Sequence, residues 1–437
     1  MERTLIADTV KEVGEKVKIE GFVHVVRAHG KIAFADIVDR SGVMQIVGDS
    51  QVADIKPQYA VEVEGIINKR PPQMVNDKIE TGTIELSAEK VTVLSKSEEM
   101  PFDMGAEDLN LELPTLLDYR TLSLRHSKIK EIFKVQAAVL EGFRQAAKGL
   151  GCIEVSVPTI SASATEGGAE VFTVDYYGHK AFMTQSPQLY KQMLVPSFER
   201  VFTIAKAYRA EPSVTTRHLA ESTQMDCELG FTDFCELLDA LEFVGTGTLK
   251  YVEEKCKKEL ADYKVPKLKI PAKIPRLTMR EAQKIILERT GVDHTKEKDL
   301  GPEDEKEISK WALEEEKSDL ITITHYPTQK RSFYTKPDPA DPEFSLSYDL
   351  LFRGMEILSG SQRINDYREL VAAIKERGMN PANFEMYLQA FKYGMPPEGG
   401  FSFGLERITM KLLMLSNVRE ASLFPRDMER VDFRFSR

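Results

Sequence analysis

At 437 residues the chain is too long for one ordinary core, so two or three domains are expected. Its 42% hydrophobic and 29% charged residues belong to a globular chain, and no apolar run approaches the roughly 20 residues of a bilayer span. A formal net charge of −10 argues against sequence-blind nucleic-acid binding, although an acidic protein can carry a local basic surface. The N-terminal stretch MERTLIADTVKEVGEKV has charges where a signal peptide needs an apolar core, so a cytoplasmic protein is expected. Cys152, Cys227, Cys235 and Cys256 form no CxxC pair and have no histidine at zinc spacing. They are expected to be buried small apolar residues rather than a disulfide framework or a zinc site.

Residues 1–103 are rich in short strands. Alternation predicts strands over Val17–Val25, Ile32–Val38 and Val43–Val47, separated by turns at His29-Gly30 and Ser41-Gly42. Two more, Tyr59–Ile67 and Thr83–Leu94, flank a polar loop with Pro71, Pro72 and Asn76. Five such strands predict a small closed barrel, either of the oligonucleotide-binding type or one that binds nothing. Residues 104–128, with a leucine-bearing stretch broken by Pro114, read as a connecting hinge. The remainder, 129–437, is expected to form one larger α+β domain with a small helical insertion at about 264–318.

That domain opens on an amphipathic helix, Ser127–Lys148, whose stripe includes Ile132, Val135, Val139 and Phe143. A strand, Cys152–Val157, then runs into Pro158, which cannot donate to a sheet and belongs at an edge or interface. Val201–Gly230 reads as a hairpin with Arg209 at the end of its first strand. Glu211, Arg217 and His218 lie in its polar loop, and Asp226 and Glu228 on its second strand. An arginine beside a flexible polar loop can hold a triphosphate from one side; an ordinary charged surface hairpin has the same look. Residues 231–262 and 277–317 are helical, and the charge run Glu303–Glu316 is read as a solvated helix face without chemistry. Strands are predicted over Asp319–His325, Arg331–Thr335 and Phe344–Leu358, and a final helix over Phe403–Leu415 after a glycine-rich turn at Gly399 and Gly400.

Four further clusters could carry chemistry. Thr165, Glu166, Gly167 and Gly168 form a loop whose glycines allow close approach to a ligand. In QSPQLYK, residues 185–191, Gln188 and Lys191 are three apart on a helix that starts near Pro187. Together they could grip a small carboxylate or form a solvated polar face. Asp349 and Glu356 would lie on opposite faces of one regular strand, but a turn or bulge at Arg353-Gly354 would bring them together. A hard divalent cation such as Mg²⁺, with Ser359 adding an oxygen, is the natural partner of two close carboxylates. Arg363 closes that segment and can take a carboxylate bidentately. Finally, Arg407 lies near the first turn of a glycine-preceded helix, where the helix dipole and the guanidinium both favour phosphate.

Pro158 after a helix and strand, the Arg209 to Glu228 hairpin and GlyLeuGluArg at 404–407 resemble, in order and spacing, the three signature motifs of class II aminoacyl-tRNA synthetases. The loop at 165–168, QSPQLYK and the N-terminal barrel narrow the resemblance to the shorter, archaeal-type aspartyl-tRNA synthetases, over essentially the whole chain. The resemblance implies ATP-dependent activation of L-aspartate and transfer to tRNA(Asp). Arg209 would bind the α-phosphate, Arg217, His218 and Arg407 the β,γ end, and Glu211 the adenine or its ribose, with Arg209, Arg407 and Glu211 central to catalysis. Asp349, Glu356 and Ser359 would carry Mg²⁺, with Glu356 also in the ATP site. Glu166, Gln188 and Asp226 would surround the substrate ammonium, while Lys191 and Arg363 neutralise its side-chain carboxylate, with Ser359 adjoining. In the barrel, Phe22 would stack on an anticodon base, Gln45 and Glu85 would hydrogen-bond base edges, and His24 would lie among them. A homodimer joined through the Pro158 region is expected.

Three departures from the family pattern carry expectations of their own. Ser222 and Thr223 stand where the family often has an adenine-stacking aromatic, leaving that face to Arg407 or another side chain. Glu398 stands where histidine is common, which alters the substrate-side hydrogen bonds. His24 stands where enzymes strict for tRNA(Asp) tend to carry tryptophan, so a relaxed enzyme that also charges tRNA(Asn) is expected. The competing readings are asparaginyl-tRNA synthetase, for which a cation at Lys191 has no use, a non-catalytic RNA-binding paralogue, and a tRNA-independent amidating enzyme, which would lack the barrel.

Overall fold

The computed structural model describes residues 1–77, 79–106, 108–162, 170–212 and 215–435. The chain divides into two compact units, Met1–Asn110 and Leu111–Arg437. Among the described residues no helix is long and apolar enough to cross a membrane.

In the first unit, β1 (Lys16–His29), β2 (Ile32–Val38), β3 (Val43–Gly48), β4 (Ala60–Lys69) and β5 (Ile84–Ser95) close a barrel in the order β1-β2-β3-β5-β4, with the short helix α1 (Ser50–Ala53) after β3. The strict alternation predicts this, because every second side chain turns inward: Val61, Val63 and Ile67 of β4 and Ile46 of β3 are fully buried. Each such side chain contributes roughly 1.5 to 3 kcal/mol by leaving water. The alternate positions face outward, so Phe22 of β1, 48% exposed, and Gln45 and Glu85 of the neighbouring strands β3 and β5 lie on the outer surface.

The second unit starts with two short helices, α2 (Leu113–Asp118) and α3 (Arg120–Ser123). Pro114 does not break a connection there: it occupies the first turn of α2, where its missing N–H costs no hydrogen bond. Helix α4 (Ser127–Gly149) buries Ile132, Val135, Val139 and Phe143 in one core with the sheet and α6 (Phe234–Lys255). That core backs an eight-stranded, largely antiparallel sheet.

The sheet strands in chain order are β6 (Ile153–Glu154), β10 (Arg200–Tyr208), β11 (Glu221–Gly230), β12 (Arg276–Thr278), β13 (Leu320–Thr324), β14 (Ser347–Phe352), β15 (Glu356–Gln362) and β16 (Glu398–Gly404). They lie side by side as β12-β13-β14-β15-β16-β11-β10-β6, so the hairpin β10-β11 and the strand pair β15-β16 adjoin at the centre. A small three-stranded sheet contains β7 (Ile160–Ser161), β8 (Thr173–Tyr176) and β9 (His179–Met183). Around these pack α5 (Gln188–Phe198), α7 (Lys257–Asp262), α8 (Met279–Thr290), α9 (Pro302–Glu315), α10 (Tyr367–Glu376), α11 (Glu385–Lys392) and α12 (Leu405–Leu412).

Three local expectations change. Residues 331–335 form no strand; they pass as a loop whose only ladder contact is an isolated bridge between Thr335 and Arg363. Gly399 and Gly400 are not in a turn but inside β16, where a Cβ on Gly400 would overlap the Cys227 carbonyl and the Glu228 carboxylate. Close packing of neighbouring groups, not a bend, requires glycine at that position. Cys235 is exposed, whereas the other three cysteines are buried as expected.

Candidate active site

Strands β11, β15 and β16, the loop after β10 and the loop before β14 surround a cavity of about 420 Å³. Of the residues picked out in the sequence, Gln188, Arg209, Glu211, Arg217, His218, Glu356, Ser359, Arg363 and Arg407 all line it. They come from four separate stretches of chain that the sheet order draws together. Glu166 and the rest of the Thr165–Gly168 loop lie outside the described residues.

One end of the cavity is cationic. The Arg209 guanidinium makes no hydrogen bond or ion pair with a described residue. Arg407, in the first turn of α12, lies 3.4 Å from the Glu356 carboxylate and also donates to the Glu356 carbonyl. Arg217 donates to Glu305 at 2.7 Å and to the Gly354 carbonyl at 3.2 Å. His218 is 3.7 Å from Glu211, and its Nδ1 is bonded to the Thr215 hydroxyl. Burial lowers the His218 pKa against the pull of Glu211, and Arg407, Arg209 and Arg217 lower it further. A neutral imidazole among three arginines is a site with cationic capacity to spare for a polyanion.

Glu305 was not legible as a site residue, because the acidic run around it reads as a solvated face. Helix α9 nevertheless buries Asp304 and Glu305, and Glu305 also accepts from the Glu356 backbone N–H.

Below the arginines lie the candidate metal ligands. The turn between β14 and β15 is made by Arg353 (φ 47°) and Gly354 (φ 81°), both in the left-handed region. A register shift next to Leu351 sets Glu356 opposite it, while Asp349 pairs with Ser359. That one-residue bulge cancels the odd separation and brings Glu356 onto the face carrying Asp349 and Ser359. Burial raises the Glu356 pKa; Arg407 opposes this, and the nearby Asp349 and Glu305 carboxylates add to it. One Asp349 oxygen, Oδ1, is buried without a hydrogen-bond partner among the described residues. An orphaned carboxylate oxygen, a carboxyl strained by like charge and a hydroxyl suit a hard divalent cation. Arg331, in the loop that replaces the expected strand, already bonds the other Asp349 oxygen at 2.7 Å and Ser359 Oγ at 3.1 Å. No spacing pattern in the sequence marks this arginine.

The opposite end holds a buried ion cluster. Lys191 Nζ is 2.8 Å from Asp226 and 3.0 Å from Glu228, and Arg363 Nε is 2.8 Å from Glu228. All of these side chains except that of Arg363, at 5%, are at most 1% exposed. Arg363 lines the cavity; Lys191 and Asp226 lie behind it and pair with each other. Asp226 also accepts from the Ser402 hydroxyl, which does line the cavity. Burial acts to deprotonate Lys191, but Asp226 and Glu228 outweigh it and raise the ammonium's pKa. Burial likewise works against a Glu228 carboxylate, and Arg363 and Lys191 overcome it.

At the position of the missing stacking ring, Ser222 lines the cavity and Glu406 accepts from the Thr223 N–H through both oxygens, at 3.0 and 3.1 Å. Among the described residues the only aromatic rings lining the cavity are Tyr334 and His218. Tyr334 lies 5.2 Å from the Arg363 guanidinium, at the ion-cluster end.

Comparison with known proteins gives this geometry a family. Residues 112–428 match the model for class II tRNA synthetases (D, K and N), and residues 17–94 match an OB-fold nucleic acid binding domain. The "Aspartate--tRNA(Asp/Asn) ligase" of Deinococcus radiodurans is 39% identical, with 99% of each chain covered. The "Aspartate--tRNA(Asp) ligase" of Pyrococcus abyssi is 38% identical, with 96% of each chain covered. Among solved structures, asparaginyl-tRNA synthetase from Pyrococcus horikoshii complexed with asparaginyl-adenylate superimposes with a TM-score of 0.90 at 30% identity, covering 99% of each chain. The chain belongs to the aspartate–tRNA ligase family of the class II aminoacyl-tRNA synthetases.

Proposed function

We propose that this chain activates L-aspartate with ATP and transfers it to both tRNA(Asp) and tRNA(Asn). The observation that carries the amino-acid choice is Arg363 facing the cavity with Lys191 behind it, a pair of buried cations at the end away from the arginine cluster. Both cations are already balanced by Asp226 and Glu228, so what favours aspartate is the Arg363 guanidinium lining the cavity, to which an asparagine amide offers no charge. The tRNA choice rests on His24 in the barrel and on relatives named for both tRNAs.

The chemistry follows from the charge layout. The aspartate α-carboxylate attacks the α-phosphate, an anion meeting a polyanion, so the site's task is positioning and neutralisation. Arg209, without a side-chain partner among the described residues, takes the α-phosphate; Arg217, His218 and Arg407 take the β,γ end; Glu211 faces the adenosine. Gln188, with Glu166, receives the substrate ammonium, and Asp226 acts from behind the cavity through the Ser402 hydroxyl. Arg363 receives the side-chain carboxylate, supported by Lys191, with Ser359 adjoining. Asp349, Glu356 and Ser359 would hold Mg²⁺, which when bound neutralises phosphate charge. In the second step the terminal ribose hydroxyl attacks the adenylate carbonyl, and no side chain has to serve as a covalent nucleophile. The barrel, residues 1–103, reads the anticodon with Phe22, His24, Gln45 and Glu85; Gln45 and Glu85 already lie 3.4 Å apart on neighbouring strands.

A homodimer is part of this reading. Strand β6 is an edge of the large sheet, and Ile153 on it is 50% exposed, as is Phe243, whose ring packs at Gly149 at the end of α4. A second copy would cover them, which light scattering of the purified protein measures directly. The function is tested by pyrophosphate exchange with aspartate and asparagine in parallel, followed by charging of both tRNA transcripts. Exchange with asparagine in preference to aspartate overturns the reading.

A further inference from the structure

Glu398 is the residue in β16 that departs most from expectation. Its side chain is fully buried; Oε1 accepts from Gln192 Nε2 at 2.7 Å, and Oε2 has no conventional donor among the described residues. Gln192 is itself held by the Tyr387 hydroxyl at 3.1 Å, so it cannot turn to serve both oxygens. Glu398 also makes a side-chain hydrogen bond with the carboxyl of Glu228, and because neither carboxylate can donate, that bond needs a proton on one of them. Glu228 is also the residue that joins Lys191 to Arg363.

The charge count gives that proton a purpose. Lys191 and Arg363 are positive, Asp226 and Glu228 negative, so the cluster balances only while Glu398 is neutral. Other titratable groups facing this spot do not alter the count: Tyr387 on α11, Tyr348 on β14 and Cys227 on β11 are all held neutral by burial. Tyr334 faces Arg363 from the loop before β14. An ionised Glu398 would leave the cluster one charge negative before any substrate arrived.

We propose that Glu398 is a specificity-determining positioning residue, whose shared proton keeps Arg363 and Lys191 able to attract the side-chain carboxylate of the substrate. The proposal rests on the reading that this carboxylate is received at Arg363. Burial and the Glu228 charge both raise the Glu398 pKa well above the usual carboxylate range. The neutral form therefore persists to higher pH than that of an ordinary carboxyl. Loss of its proton at higher pH adds a negative charge that repels aspartate but leaves an amide ligand little affected.

The test is pyrophosphate exchange by the full-length protein from about pH 6 to about pH 9, with KM for aspartate compared with KM for ATP. In the wild type the aspartate KM rises at the alkaline end by up to about tenfold per pH unit, the limit for one coupled proton. The ATP KM does not follow it. In Glu398→Gln, which keeps a neutral hydrogen-bonding side chain, the alkaline rise in aspartate KM disappears. A parallel rise in both proteins, or a flat wild-type profile, overturns the proposal. As a measurement that needs no variant, calorimetry of aspartate binding near pH 9 in buffers of different ionisation enthalpy should show proton uptake, and its absence also overturns it. A wild type that does not activate aspartate at any pH would instead refute the functional reading on which the proposal rests.

Discussion

Arg331 and Asp349 form a largely buried ion pair at 2.7 Å, and the same guanidinium lies 4.0 Å over the ring of Tyr326. A cation is therefore already bound to one candidate metal ligand, and it leaves only Asp349 Oδ1 open. Removing one partner of a buried pair costs about 3 to 5 kcal/mol because the other charge stays desolvated. Arg331→Gln is expected to lose stability of that order in urea unfolding. Because the released carboxylate is then free to bind a cation, Mg²⁺ should raise the melting temperature of the variant more than that of the wild type. An equal shift in both proteins would separate Asp349 from metal binding.

Lys191 contributes to two properties that single substitutions confuse. Lys191→Leu should abolish aspartate-dependent exchange, but it also strands Asp226 in the interior, at about 3 to 5 kcal/mol. The double variant Lys191→Met/Asp226→Asn removes both charges of the 2.8 Å pair. It is expected to recover most of the stability and none of the exchange activity. Recovery of exchange in the double variant would reduce Lys191 to a structural role.

Close packing at Gly400 makes a sharper demand. Its Cβ would meet the Cys227 carbonyl, which is backbone and cannot swing aside, as well as the Glu228 carboxylate. Gly400→Ala should cost about 1 to 3 kcal/mol or more and raise the aspartate KM by displacing Glu228 from Arg363. At Gly404 the nearest atom to an added Cβ is 3.6 Å away, so Gly404→Ala is expected to match the wild type in unfolding experiments. Equal losses at both positions would show that the crowding at Gly400 can be relieved.

The barrel was legible because an inward-facing residue at every second position leaves a mark on the sequence, as at Val61, Val63 and Ile67. Gly399 and Gly400 misled for the opposite reason: a central strand crowded by its neighbours substitutes glycine for the alternating apolar residues that announce a strand. Arg331 and Glu305 carried no signal, since a loop arginine and one acid in a charged helix gain meaning only from what the fold brings next to them. The Asp349 and Glu356 pair lay between these cases. Their odd separation required a bulge, and the chain supplies one at Leu351. Lys191 was legible as a cation at the right helical spacing, but its burial behind the cavity was not.

Phe22 lies on the outer face of the barrel, and its role there separates the two half-reactions. Base stacking on an aromatic ring contributes about 1 to 3 kcal/mol, so Phe22→Ala is expected to lower kcat/KM for tRNA charging roughly fivefold to a hundredfold. Pyrophosphate exchange does not involve the anticodon and should be unaffected. His24 occupies a register shift in the same strand, between Val23 and Val25, where an extra residue re-aims its neighbours. His24→Trp should therefore shift relative charging toward tRNA(Asp) without altering exchange. Wild-type charging of both transcripts sets the baseline: a preference for tRNA(Asp) of about a hundredfold or more would mark a strict enzyme and rule out the relaxed specificity assigned to His24.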